Sequence, residues 1–453
     1  MKAAIIFNFT TRFIPVLTDT RYVHVGSIPS CLASLCGDSS LIATIPSVLS
    51  ASGLHSIAED MTSLPTVNAG RILAKPMRGR VHIHYDSDDD CVVFIRCTGR
   101  EFHIELSPFF ICNSPLITSR YHKFIAAVRH RGEMDVEEEG DSDEEEGPEE
   151  IQTRFYDWLI AVFEPVFSKT VPDVPSSFDP DMIQTGEAKP LLSEYLFPEI
   201  YRCRLESEND KPFPIYMPDE KSQFSEPFCN IRPGLARELE QYVKFFDPSA
   251  VEVSFGRPEQ VLDDKPTRVL VDLDGSGKKK TCFFKEFGSG AFISLEKELE
   301  AHLQLLKSNV VLEARVVRLL GVVAAEDARV AGLLLTYVDC RRENDGILDG
   351  IYLLRTSIPL RERWVNQIKE AVQQLHEGGV VWGDAKADNV LIDKKNDAWL
   401  IDFGGGYTEG WVDKEKTGTK EGDLQGVERI VEYLFSEGYE PASSDYEFDS
   451  ASE

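Results

Sequence analysis

Two short apolar runs held apart by five turn-forming residues dominate the stretch Val380–Gly406, VVWGDAKADNVLIDKKNDAWLIDFGGG. Val390-Leu391-Ile392 and Trp399-Leu400-Ile401 flank Asp393-Lys394-Lys395-Asn396-Asp397, whose Asp and Asn side chains favour tight turns, so the stretch is expected to fold as a hairpin of buried strands. A hairpin of this length returns Asp402 alongside the loop that carries Asp384, Lys386 and Asn389. Two carboxylates, an amide and an ammonium brought to one place suit a metal-bound polyphosphate: oxygen ligands for Mg²⁺, a cation for a phosphoryl group, and one carboxylate left to orient a hydroxyl. Turn formation alone explains 393–397 but not the register of Asp384, Asn389 and Asp402.

These residues resemble the catalytic core of the protein-kinase family, in which an Asp is followed five positions later by Asn and, after a strand pair, by an Asp-Phe-Gly triplet. Asp384, Asn389 and Asp402-Phe403-Gly404 match that pattern, and Lys386 matches the Lys two positions after the Asp in Ser/Thr-type members. The wording WGDxKxDN, LIDFGGG and GWVD is most similar to kinase-like proteins of fungi. Two residues depart from it: Trp382 stands where the family has His, and Gly383 where it has Arg. Losing the Arg removes the group that pairs with a phosphorylated activation segment, so switching by that route is not expected.

The resemblance extends upstream. Lys285 lies in the apolar strand FFKEF, where the family places the Lys that contacts the α- and β-phosphates. The helix expected over Leu295–Leu306 offers Glu296, Glu298 and Glu300; Glu298 is the expected partner of Lys285, because Leu299, His302, Leu303 and Leu306 then lie around its buried side. The run Ala331–Val338 resembles the strand that leads into the family's hinge, which implies adenine contacts from backbone groups near Thr336 to Val338. Arg363–Gly378 reads as a buried helix leading into the catalytic loop, with Trp364, Val365, Ile368, Val372 and Leu375 on one face. No GxGxxG precedes Lys285; Gly275-Ser276-Gly277-Lys278 reads as a hairpin turn rather than a P-loop, and a phosphate lid is placed on the turn Phe255-Gly256-Arg257. After Asp402 no Ala-Pro-Glu triplet follows. Asp423 opens a helix carrying Val427, Ile430, Val431, Leu434 and Phe435; it is expected to cap that helix, and the resemblance implies that it ties the helix to the catalytic-loop backbone.

The remaining chain is read from composition and period. In 453 residues a hydrophobic fraction of 42% supports more than one core, and a net charge of −29 argues against nucleic acid or an anionic membrane as partner. Nine scattered Cys without a CxxC pair fit reduced thiols inside a cell, cytoplasmic or nuclear. No apolar run is long enough to span a membrane. Met1–Phe9 looks like the start of a signal peptide, but its run is broken by Asn8 and lacks a cleavage site, so secretion is not expected.

Residues 1–75 read as a poorly ordered extension, with targeting the alternative. Residues 76–246 read as a separate α+β module. Within it, alternation over Val81–Tyr85, Cys91–Ile95 and Glu101–Leu106 gives an antiparallel meander, and His82 and His84 fall on its polar face as solvated side chains. The acidic run 133–150 reads as a solvated loop, Ile151–Ser168 as a core-facing helix returning to the meander, Glu199–Cys203 as a strand, and Arg232–Phe246 as one amphipathic helix. The resemblance implies a two-lobed α+β kinase-like fold, with the small lobe over 247–338 and a reduced large lobe over 339–438, followed by an acidic tail over 439–453. Its strands are expected at Val251–Phe255, Thr267–Val271 and Thr281–Lys285.

Three functional readings follow. The favoured one is an ATP- and Mg²⁺-dependent phosphotransferase acting on an unidentified hydroxyl, with protein Ser/Thr favoured by Lys386. In it Lys285, paired with Glu298, positions the phosphates; Asp384 accepts the hydroxyl proton; Lys386 stabilises the transferred phosphoryl; and Asn389 and Asp402 hold metal. The second is a pseudokinase serving as an interaction module. The third, supported by the missing peptide-docking helices, is a small-molecule kinase. The N-terminal module is expected to bind a protein partner or to cover the small lobe.

Overall fold

The computed structural model describes residues 77–83, 89–97, 99–130, 147–170, 180–217, 227–254, 265–288, 291–308, 315–341 and 346–436. They fall into two compact units, the first built mainly from residues before Phe224 and the second mainly from residues after Ser225.

In the first unit the expected alternation produces three consecutive antiparallel strands, β1 (Met77–Ile83), β2 (Cys91–Cys97) and β3 (Arg100–Leu106). Gly99 turns the chain between the last two at φ +73, a conformation that glycine adopts without a Cβ clash. Two helices follow: α1 (Pro115–His130), which the sequence reading did not anticipate, and α2 (Pro148–Thr170), which it did. The chain then re-enters the sheet parallel to β3 as β4 (Ile200–Glu208) and turns back as β5 (Lys211–Tyr216), giving the order β1-β2-β3-β4-β5. The expected strand at Glu199–Cys203 is therefore the first half of a longer one.

Val93, Ile95, Phe102 and Ile104 share a core with Phe124 of α1 and with Phe155, Leu159 and Phe163 of α2. The rings of Phe124 and Phe155 stack at 4.0 Å. His103 is buried and its Nε2 lies 2.8 Å from the Glu101 carboxylate. His82 lies in β1, while His84 lies outside the described residues, as do residues 1–75, the acidic run 133–146, the lid turn 255–257 and the tail 439–453.

The second unit opens with α3 (Pro233–Leu239), and here one expectation is corrected: Arg232–Phe246 is not a single helix. The helix ends at Leu239. A turn held by Tyr242 N–H to the Leu239 carbonyl (2.9 Å) follows, and Lys244–Phe246 becomes β6. Pairing with a sheet edge wins over continued helical periodicity, because Phe246 lies over Gly321, where any Cβ would come within 2.6 Å of its ring. The other strands are β7 (Glu252–Ser254), β8 (Arg268–Val271), β9 (Lys280–Glu286), β10 (Leu319–Ala324) and β11 (Val330–Thr336). They form a six-stranded sheet in the order β6-β10-β11-β9-β8-β7, with β6 parallel to β10 and all other neighbours antiparallel. Gly275 and Gly277 turn β8 into β9 with φ near +80, and both donate N–H to the Asp272 carboxylate, as a hairpin turn requires. The helix α4 (Phe292–Lys307) packs Leu295, Leu299 and Leu303 against Leu333, Leu335 and Val322 of this sheet.

A second core lies beyond β11. The helix α5 (Ile358–Glu377) buries Trp364, Ile368, Val372 and Leu375, the expected face. The strands β12 (Val390–Ile392) and β13 (Ala398–Leu400) form the expected hairpin, with Val390, Ile392, Ala398 and Leu400 buried. Its turn is closed by the Asp393 carboxylate, which accepts from Lys395 and Asp397 N–H, and Asn396 takes φ +62. The last helix, α6 (Lys420–Phe435), buries Val427, Ile430 and Leu434 in the same core. Its N-cap is Thr419, whose hydroxyl accepts from Gly422 N–H, and not Asp423, which sits one turn into the helix and is buried.

Candidate active site

All eight residues singled out from the sequence lie in the second unit. Lys285 faces inward from β9 and donates both to Glu298 Oε2 (2.6 Å) and to Asp402 Oδ1 (3.0 Å). Of the three glutamates on α4, Glu298 points inward and is 1% exposed, while Glu296 and Glu300 turn outward to Arg232. The strand carrying Lys285 comes close to β11 at Gly332, where a Cβ would lie 2.5 Å from the Lys285 carbonyl oxygen.

The electrostatics of this trio follow from burial, complete for Glu298 and partial for Lys285 and Asp402. Burial works against the charge on Lys285, but Glu298 and Asp402 outweigh it and hold the ammonium above its ordinary value. Burial would also raise the Asp402 carboxyl; Lys285, the Gly404 N–H and Lys386 reverse that and hold it below the ordinary carboxylate range. Glu298 is the group that gives way: burial pushes its carboxyl up to about 7 against the pull of Lys285, with Asp402 adding to the rise. His302, one turn further along α4, is 1% exposed, and burial together with Lys285 pushes it down to about 3, so it stays neutral.

A second cluster forms on the loop before β12. Asp384 Oδ2 receives Lys386 Nζ at 2.9 Å and Asn389 Nδ2 at 3.0 Å, and Asn389 also donates to the Asp384 carbonyl at 2.8 Å. The Thr408 hydroxyl completes the group: it donates to Asp384 Oδ1 (3.2 Å) and accepts from Lys386 (2.8 Å). Sequence reasoning missed Thr408, because its arrival at Asp384 depends on the path taken after Gly404–Gly406 and no spacing rule encodes that path. The bare α-carbon of Gly406 lets this segment pass the carboxylate, since a Cβ there would sit 3.3 Å from Asp384 Oδ2.

The loop is fixed from below. Asp423 of α6 accepts from Trp382 N–H (2.7 Å), from Gly383 N–H (2.8 Å) and from the ring of His376 (2.8 Å), which is the tie to the catalytic-loop backbone that the resemblance implied. Trp382 is fully buried, and its indole N–H reaches the Ile401 carbonyl at 2.8 Å. Gly383 takes φ +89, with its α-hydrogen face against Gly405.

The strand β11 ends at Thr336 with the amide donating to the Arg318 carbonyl (3.0 Å), so that N–H is committed to the sheet. Val338 is nearly buried in the second core, and its carbonyl accepts from the Cys340 thiol. Among the described residues no three His, Cys, Asp or Glu side chains gather as a metal cage. Asp402 and Asn389 each carry a side-chain oxygen, the donor type that Mg²⁺ takes one or two of from a protein.

Residues 289–420 match the family model described as Protein kinase domain, a span that includes Glu298, Asp384, Lys386, Asn389, Asp402 and Thr408. The chain is 35% identical over 74 residues to the Serine/threonine-protein kinase PKH3 of Eremothecium gossypii, covering 16% of this chain and 10% of that protein. It is 48% identical over 42 residues to the Hormonally up-regulated neu tumor-associated kinase of Mus musculus and of Homo sapiens, covering 9% of this chain and 6% of each relative. The chain thus matches a tenth or less of the length of these relatives. The likenesses support a protein-kinase-like family, and the mixed helix and strand content of the second unit is consistent with a kinase-like fold. No helix of the described residues is long and apolar enough to cross a membrane.

Proposed function

We propose that the second unit is an ATP- and Mg²⁺-dependent phosphotransferase of protein-kinase type that moves the γ-phosphoryl of ATP to an aliphatic hydroxyl, with protein Ser or Thr favoured. The observation that carries this reading is the pairing of two clusters: Lys285 held between Glu298 and Asp402, and Asp384 held by Lys386, Asn389 and Thr408. In the first, the Lys285 ammonium is poised for phosphate oxygens, and Asp402 and Asn389 would hold Mg²⁺, which supplies charge neutralisation at the phosphates. In the second, an acceptor hydroxyl takes the place now filled by the Thr408 hydroxyl. Asp384 orients it and accepts its proton as the new O–P bond forms and the bond to ADP breaks. The Lys386 ammonium neutralises the phosphoryl oxygens during transfer. Catalysis of this kind rests on positioning and electrostatics rather than on a covalent intermediate. Adenine would meet the Thr336 carbonyl and the peptide groups of Val338. We assign the first unit to partner binding.

The test is a thermal shift with ATP and Mg²⁺ on the wild type and on Asp402→Ala. A ligand that binds only the folded state raises the melting temperature by mass action, by about 2.7 kcal/mol of added stability at a hundredfold excess over Kd. The expected result is a Mg²⁺-dependent rise that Asp402→Ala abolishes. No shift at millimolar ATP overturns the reading. A shift without transfer to Ser/Thr peptides moves it to the pseudokinase alternative.

A further inference from the structure

Glu298 meets Lys285 only while α4 keeps its present rotation. With its side chains a helix has a radius of about 5–6 Å, so a turn of about 20° on its axis carries a side-chain tip roughly 2 Å. The Lys285–Glu298 contact is 2.6 Å, and a shift of that size away from Lys285 takes it out of hydrogen-bond range. Leu295, Leu299 and Leu303 hold one flank of α4 on the sheet. Apolar burial is non-directional, so polar contacts on the outer flank specify what burial leaves open.

Those contacts come from residues ahead of the stretch that matches the Protein kinase domain model, which starts at 289. Arg232 gives Glu296 two bonds, its backbone N–H at 2.7 Å and its Nε at 2.9 Å, and its guanidinium gives Glu300 a third. Glu296 and Glu300 lie two residues before and after Glu298, on the opposite side of the helix. One planar guanidinium therefore grips two successive turns of α4 and fixes their direction. At the far end of α4, Lys307 pairs with Glu238 of α3. The segment that carries these groups is itself pinned. Cys229 exchanges both backbone hydrogen bonds with Val330 at the head of β11 (2.7 and 2.8 Å), and Leu235 and Leu239 enter the core that holds α4. Lys244–Phe246 pairs with β10, in the same sheet as the strand that bears Lys285.

We propose that residues 229–246 are a built-in clamp on α4, with Arg232 the positioning residue that turns the helix so that Glu298 meets Lys285. The proposal rests on the phosphotransferase reading given above and deepens it: the site around Lys285 is assembled by the chain's own residues, with no phosphorylated segment or added subunit pressing on α4. Arg232 is 61% exposed, and exposed ion pairs contribute little to stability. Its loss is therefore felt in the placement of Glu298 and not in the melting temperature, which separates positioning from packing.

The test uses the full chain in three forms. Arg232→Glu sets like charges against Glu296 and Glu300; the same change combined with Glu296→Arg and Glu300→Arg restores the attraction with its sign reversed; the wild type is the reference. Two quantities are measured: the ATP concentration that gives half of the melting shift at fixed Mg²⁺, and amide hydrogen exchange of α4 over 294–303 in the nucleotide-free chain. Arg232→Glu is expected to need about tenfold more ATP, the scale of one hydrogen bond to a charged group. It should also exchange faster at 294–303, with a nucleotide-free melting temperature close to that of the wild type. The triple variant is expected to recover both quantities. An unchanged ATP requirement with unchanged exchange overturns the proposal, and so does a triple variant that recovers neither. If Arg232→Glu fails to fold, Arg232→Gln is read in its place. A wild type that gives no shift with ATP and Mg²⁺ sinks the phosphotransferase reading, while exchange at 294–303, measured without nucleotide, still decides the clamp.

Discussion

Single residues carry the sharpest chemistry here, and Glu298 is the clearest case. Its ordinary value near 4.5 is pushed up to about 7 by burial, so the folded chain binds its proton between those limits while the unfolded chain does not. By linkage this contribution to stability is complete below about 4.5 and is lost as pH rises to about 7. The size is about 3 kcal/mol if the whole shift is expressed, at 1.36 kcal/mol per unit. Glu298→Gln cannot titrate, so the stability of the wild type minus that of Glu298→Gln should fall across this window; urea unfolding at a series of pH values measures it. A flat difference would mean that Lys285 keeps Glu298 ionised throughout. Glu298 was legible in the sequence because helical phase separates it from Glu296 and Glu300. Thr408 was not, since its contact with Asp384 and Lys386 is made by a chain path and not by a period.

At the scale of elements, close approach of backbones decides how the second unit is assembled. Gly332→Ala would drive a methyl to 2.5 Å from the Lys285 carbonyl oxygen and into the Phe284 ring. Overpacking of this kind costs about 1–3 kcal/mol, and because the clash is with the strand that bears Lys285, the variant should lose ATP-dependent stabilisation as well as melting temperature. A melting change with an undiminished ATP response would show that β9 absorbs the strain without moving Lys285. Asp423→Ala acts on α6 in a different way. It leaves the buried Trp382 and Gly383 N–H groups without an acceptor, for which about 3 kcal/mol or more is expected in denaturant unfolding. The elements around the site were legible where the pattern was local: the hairpin at 390–400, the helix at 358–377 and the turn at 275–277. They were misread where a tertiary partner overrode the period. Lys244–Phe246 continues the apolar rhythm of the helix before it, yet pairs with β10, because Gly321 opens room for the Phe246 ring.

For the whole molecule, composition speaks about partners more than about fold. A net charge of −29 repels polyanions at long range, so the full chain is expected to pass through a heparin or DNA column unretained at near-physiological salt. Retention would reveal a basic face that the sum of charges hides. The first unit was legible as a meander with a returning helix. Its fourth and fifth strands were obscured because β4 pairs in parallel with β3 across nearly a hundred residues, and such a pairing leaves no local mark.

The indole of Trp382 has an optical consequence. The chain holds five tryptophans, and this one lies a single hydrogen bond from the peptide that leads into Asp402. Movement of that peptide changes the field along the ring, and with it the colour of the emitted light. A chain in which Trp158, Trp364, Trp399 and Trp411 are replaced by Phe would be its own reporter of that movement, readable in a stopped-flow mixer without any attached dye.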